Sequence, residues 1–281
     1  MELSLKKTYS LTVVVYLSLA ALFVPTFYKL AIYGWKNADY SHGPLILIAF
    51  LWLLWREHEF LTFPADDHIH WPSLFILLFG LVLYAIGSIF SSMVTESFAI
   101  IPIFMGTTGF LLGVRALSSI LFPAVFLIFL VPPPIFIIDM VTAPLQLLVT
   151  VASAFILKTA GYLISRDGVI LHMGDYTIVV GEACSGLRSL ISLMAVGAIY
   201  TYLQKITCLK RTVLLLLIIP ISIIANLIRL IALALITYYF GDAAGQGFSH
   251  NFSGFVLFII ALGCLVVVDV LLDRKSRVVN G

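Results

Sequence analysis

Glu182-Ala183-Cys184-Ser185-Gly186-Leu187-Arg188 is the most polar stretch joined to any apolar run of this chain. Because an apolar run follows at once, Cys184 stands where a helix is expected to begin. There it would face unpaired backbone N–H groups and the positive end of the helix dipole. Both favour the thiolate, the nucleophilic form of cysteine, and the same N–H groups could stabilise an oxyanion. Arg188 lies four residues on, hence on the same helix face, and would add to the effect. The competing reading is a small buried hydrophobe, which cysteine often is. Cys208, in a basic loop, and Cys264, inside the last apolar run, carry only that second reading.

Two further positions carry groups that could serve such a thiolate. Asn226-Leu227-Ile228-Arg229 sits about halfway along a long apolar run. A charge at that depth costs about 2.5–3.5 kcal/mol on insertion scales, so Arg229 should face a partner or a polar cavity. Asn226 shares its face at i,i+3 spacing. Arginine stays protonated and cannot act as a base, so its role would be positive charge beside a thiolate or oxyanion; a structural buried pair is the alternative. Ser249-His250-Asn251 opens the last run, and histidine is the side chain suited to carry a proton near neutral pH. A nucleophile, a cation and a proton carrier on three consecutive runs follow the logic of activated thiols. Asp39-Tyr40-Ser41-His42-Gly43 opens the second run, where His42 could bind a polar substrate group or belong to an ordinary helix start. No histidine pair has metal-ligand spacing, and there is no P-loop, dinucleotide fingerprint or basic–aromatic nucleic-acid surface, so no metal, cofactor or nucleic-acid partner is expected.

The elements that must position these groups follow from composition. The chain has 281 residues, 62% hydrophobic and 11% charged, with a mean hydropathy of +1.12. Soluble domains are about 45–50% apolar and about 25% charged, so the fold class expected is an all-α polytopic membrane protein. Apolar runs lie near 11–33, 43–55, 72–90, 98–114, 117–131, 145–164, 186–204, 211–239 and 253–272. The positive-inside rule puts Lys6, Lys7, Arg56, Arg115, Lys205, Lys210, Arg211, Arg274, Lys275 and Arg277 in the cytoplasm. That parity fails unless one run between 117 and 204 does not cross. The run 145–164 follows Val131-Pro132-Pro133-Pro134 and contains Lys158, so it is expected to be a re-entrant or interfacial helix. About eight transmembrane helices remain, both termini cytoplasmic, in one membrane domain over 1–281. Residues 165–185 then face the extracytoplasmic side. There, Val169–His172 and Tyr176–Val180 flank Met173-Gly174-Asp175 and predict a small β-hairpin leading to Cys184.

Ala183–Arg188, then Asn226-x-x-Arg229, then His250 at the start of the last run, together resemble the exosortase/archaeosortase family. Tyr40–Gly43 and the Val131–Pro134 break look like features of the same family, and the resemblance covers nearly the whole chain. It implies a membrane-embedded cysteine transpeptidase in the cytoplasmic (inner) membrane of a prokaryote. By resemblance Cys184 is the nucleophile, Arg229 the transition-state cation and His250 the proton carrier, with Arg188, Asn226, His42 and Ser185 binding substrate or supporting. Which of Arg188 and Arg229 is the catalytic cation stays open. The implied substrate is an exported protein with a C-terminal sorting tail: a Pro-Glu-Pro-type motif, one transmembrane helix and a basic cluster. The implied acceptor is a lipid or polysaccharide. The chain carries no added C-terminal domain. A transporter or flippase for an anionic lipid-linked glycan would instead use Arg188 and Arg229 and have no need of Cys184; a scaffold of a polysaccharide export complex would need none of the three.

Overall fold

The computed structural model describes residues 2–36, 40–58, 70–180, 187–204, 206–245 and 259–271, with 2–11, 135 and 187–189 described by their backbone alone. The chain forms two compact units, Met1–Pro133 and Pro134–Gly281.

The first unit is helical throughout its described residues: α1 (Glu2–Lys29), extended by a π-helical turn Leu30–Gly34, α2 (Gly43–Arg56), α3 (Trp71–Ile89), the short α4 (Met93–Phe98) and α5 (Ile100–Phe126), which ends in a 3₁₀ turn Leu127–Leu130. Small residues let α3 and α5 approach closely, as in membrane bundles generally. A Cβ at Gly80 would lie 2.7 Å from Ile103 Cγ1 of α5; α4 comes as close to α3, since a Cβ at Gly87 would lie 2.7 Å from the Glu96 amide nitrogen. α5 is broken at Gly113, whose φ of 84° and ψ of 178° are not helical. Leu117 Cδ2 consequently reaches within 3.1 Å of where a Cβ at Gly109 would stand. Eight residues of straight helix would separate the two by about 12 Å, so the chain turns sharply at Gly113. The two expected runs 98–114 and 117–131 are therefore the two arms of this broken helix. Glu96, 1% exposed, is paired at 2.6 Å with Lys29 and accepts a hydrogen bond from Thr26 Oγ1, fastening α1 to α4.

The second unit contains α6 (Ile135–Thr159), strands β1 (Ile164–Asp167), β2 (Ile170–Met173) and β3 (Tyr176–Val179), then α7 (Leu187–Leu203) and α8 (Cys208–Phe240). Its last described helix is α9 (Ile259–Leu271). The strands form one antiparallel sheet in the order β1-β2-β3. The expected hairpin is present as β2–β3, with Met173 opposite Tyr176. Sequence reading missed β1, whose Ser165-Arg166-Asp167 lacks an apolar alternation. Each two-residue turn begins on a glycine of positive φ, Gly168 at 57° and Gly174 at 60°, as hairpin turns with glycine first require.

Two findings correct or refine the expected span map. The run 145–164 is not an element of its own: residues 145–159 are the larger part of α6, whose 25 residues extend about 37 Å, long and apolar enough to cross a bilayer core of about 30 Å. The consecutive prolines act as the start of this helix rather than as a barrier before a shallow one, since Pro134 caps it without needing to donate an N–H. Five helical stretches are long and apolar enough to cross a membrane, Thr12–Gly34, Trp71–Ile89, Met93–Leu130, Phe136–Thr159 and Cys208–Phe240, and Gly43–Arg56, Leu190–Leu203 and Ile259–Leu271 are shorter apolar helices. The protein is thus mostly helical, multi-pass in character, with a small sheet.

Candidate active site

α8 carries a line of polar groups in the second unit's interior. Ser222, Asn226 and Arg229 recur at i, i+4 and i+7 and so share one helix face. Ser222 is 5% and Asn226 6% exposed, while Arg229 is half-buried. Asn226 and Arg229 each engage a partner within the protein.

The sheet explains how Arg229 is accommodated. Leu230, Leu233 and Ala234 of α8 form one buried cluster with Leu171, Met173, Ile178 and Val180 of the sheet region, and with Val149 and Leu157 of α6. Further along, Tyr238 Cε2 lies 3.4 Å from the Cβ position of Gly174. Tyr162, just after α6, meets the rings of Tyr238 and Tyr239 edge-on, and its hydroxyl lies 2.9 Å from that of Tyr239. That hydrogen bond pushes the Tyr162 phenol above its ordinary range. α8 packs on this cluster from Ile223 to Leu235, so Arg229 lies within the stretch of helix that stands beside the sheet region. Its 33-residue helix is about 48 Å long, so a position midway along the apolar run need not lie midway through a bilayer.

The segments flanking Cys184 converge on the same stretch of α8. Val180, four residues before it, shares the cluster of Leu230. Leu190, six residues after it, lines the same cavity as Asn226. α7 and α8 are antiparallel neighbours, and Ile218 Cδ1 occupies the place that a side chain at Gly197 would need. α8 and α9 are tied at their far ends by Lys210 Nζ to Asp269 Oδ1 at 2.5 Å, and Tyr200 Oη of α7 donates to Asp269 Oδ2 at 2.5 Å. Leu193, Leu214, Ile218, Ala261 and Leu265 pack between the three helices.

Cys184, Ser185 and His250 lie outside the described residues, and Arg188 is described only as a backbone position in the first turn of α7. His42 precedes α2 in the first unit; the Trp35 indole packs over Gly43, leaving no room for a side chain there. Sequence reading passed over Ser222, although a serine four residues before Asn226 in an apolar helix carries the same signal as Asn226 itself. It also passed over the Tyr200–Asp269–Lys210 group, because Asp269 had been counted only as part of the last run. Among the described residues no group of histidine, cysteine and carboxylate side chains could hold a metal ion.

A multi-pass helical membrane protein with an arginine in the stretch of helix that packs against a small sheet is the class defined here. A family model, transmembrane exosortase (Exosortase_EpsH), matches residues 35–267, most of the chain, and the chain belongs to that family. It is a family of cysteine transpeptidases of the membrane that act on exported proteins with C-terminal sorting signals. No curated protein and no solved structure matches the chain.

Proposed function

We propose that the protein is a cysteine transpeptidase of a prokaryotic inner membrane that removes the C-terminal sorting tail, with its Pro-Glu-Pro-type motif, from exported proteins and passes them to a lipid or polysaccharide acceptor. The observation that carries this reading is where the described residues on either side of Cys184 fall: Val180 packs in the cluster of Leu230, and Leu190 lines the cavity of Asn226, so both meet α8 beside Arg229. That placement favours a site shared by Cys184 and Arg229, and His250 joins it by residue type and by the family resemblance.

The chemistry follows from the residue types. The Cys184 thiolate attacks the scissile carbonyl, and the tetrahedral oxyanion is held by N–H groups at the start of α7 and by arginine charge. Collapse breaks the C–N bond, leaving a thioester on Cys184, while His250 gives its proton to the departing amine. The neutral imidazole then takes a proton from the acceptor hydroxyl, which attacks the thioester and regenerates the thiolate. Arg229 is the principal cation of this scheme and Arg188 the second. Asn226, Ser185 and His42 would position the substrate, and no cofactor enters any step.

The test is a co-expressed reporter ending in a Pro-Glu-Pro-type tail, read by intact mass. Wild type should release the tail and add the mass of an acceptor, and Cys184→Ala should leave the reporter whole at equal expression. Tail loss that persists in the Cys184→Ala protein would refute the mechanism.

A further inference from the structure

The α8 face bearing Arg229 continues downward into a cavity of about 390 Å³. Its described walls include Pro144 and Leu148 of α6, Leu190 of α7, and Ile219, Ser222 and Asn226 of α8. Two of these wall residues, Leu148 at 52% and Ile219 at 42%, are also substantially exposed, so the cavity opens sideways from the helix bundle. In a helix of membrane-spanning length, that opening faces lipid rather than water.

Ser222 distinguishes this cavity from a packing defect. Its Oγ is buried and has no hydrogen-bond partner among the described residues. Serine and threonine inside apolar helices ordinarily settle the hydroxyl on their own helix. Here Thr150 Oγ1 donates to the Gln146 carbonyl, Thr108 Oγ1 to Phe104 and Ser18 Oγ to Val14. Ser222 does not do so, and its hydroxyl stands in the wall of the cavity. A buried hydroxyl left unsatisfied is disfavoured unless an incoming group completes it.

We infer that this cavity is the intramembrane subsite for the apolar helix of the sorting tail, with Ser222 donating a hydrogen bond to it. The inference rests on the transpeptidase reading and deepens it. An alkyl chain would suit the apolar walls equally but offers Ser222 nothing. A peptide helix offers both side chains for the walls and carbonyls that accept a second hydrogen bond, the way membrane helices associate. The tail would enter sideways from the bilayer and lie along α8 between α6 and α7. Its scissile end would then lie toward Asn226 and Arg229, one to two turns further along the same face.

Photo-crosslinking separates this inference from the parent reading. A benzophenone amino acid is placed at Ile219 in a Cys184→Ala background, so that the reporter with its apolar tail helix stays uncut, and a second is placed at Ile228, on the opposite side of α8. Crosslinks to the tail from 219 and not from 228 are expected, and they would stand even if no processing were seen with the active protein. Crosslinks from 219 to lipid alone, or equal yields from both positions, would overturn the inference while leaving the chemistry at Cys184 untouched. In the active protein, Ser222→Ala should raise KM about threefold to tenfold, the loss of one hydrogen bond, with kcat held. Ser222→Phe, which fills the cavity, should raise KM further. An unchanged KM in both variants would also overturn it.

Discussion

At the scale of single residues, the two arginines differ in what surrounds them. Arg188 belongs to the first turn of α7, where the backbone N–H groups already supply positive potential. Arg229 lies in the stretch of α8 that packs beside the sheet, flanked by the buried Asn226 and Leu230. A cation in a surrounding that excludes water acts more strongly on developing charge than one near solvent. Arg229→Lys keeps the charge but loses the planar fork, and removing such a stabilising group costs about 10²–10³-fold in rate. The expected outcome is a loss of that order in kcat for Arg229→Lys and a smaller one for Arg188→Lys, measured as the single-turnover rate of tail release. A larger loss at Arg188 would exchange their roles.

At the scale of elements, each unit has an ion pair that fastens one helix to another. Lys29 and Glu96 join α1 to α4, with the carboxylate side 2% and the ammonium side 36% exposed. Removing Lys29 would leave a buried carboxylate without its cation, which costs about 3–5 kcal/mol where both partners are dry. Since Lys29 is partly exposed, about 2–3 kcal/mol is expected for Lys29→Met. The double change Lys29→Met with Glu96→Gln should recover most of it, as read from thermal unfolding in detergent. Lys210–Asp269 performs the same service for α8 and α9 and sets their register. Exchanging the two charges, Lys210→Asp with Asp269→Lys, should restore the tail release that Lys210→Asp alone loses, although neither residue approaches the site. These elements were unevenly legible in the sequence. The helices and the β2–β3 hairpin announce themselves by apolar length and by glycine turns. β1 does not, because three polar residues form it and its pairing with β2 is what makes it a strand. The face shared by Asn226 and Arg229 is plain from spacing, whereas the cavity beside Ser222 depends on how three helices pack, which no single run encodes.

At the scale of the whole molecule, the direction of α6 decides how the chain threads the membrane. The start of α6 shares a cavity with residues 219–226 of α8, and its end shares a core cluster with residues 230–234, so the two helices run the same way. Lys205, Lys210 and Arg211 place the beginning of α8 in the cytoplasm by the positive-inside rule. On that rule α6 would also begin on the cytoplasmic side, and the sheet that follows it would face outward. This is open to direct measurement with a membrane-impermeant maleimide on intact cells, using single cysteines in a background in which Cys184, Cys208 and Cys264 are all replaced by serine. Leu163→Cys, at a position 91% exposed beside the sheet, should label from outside. Pro134→Cys should label only after the membrane is opened. Labelling of both from outside would mean that α6 does not cross, as a re-entrant or interfacial helix over 145–164 would not. Labelling of neither would place the sheet on the cytoplasmic side, against the proposed processing of exported proteins.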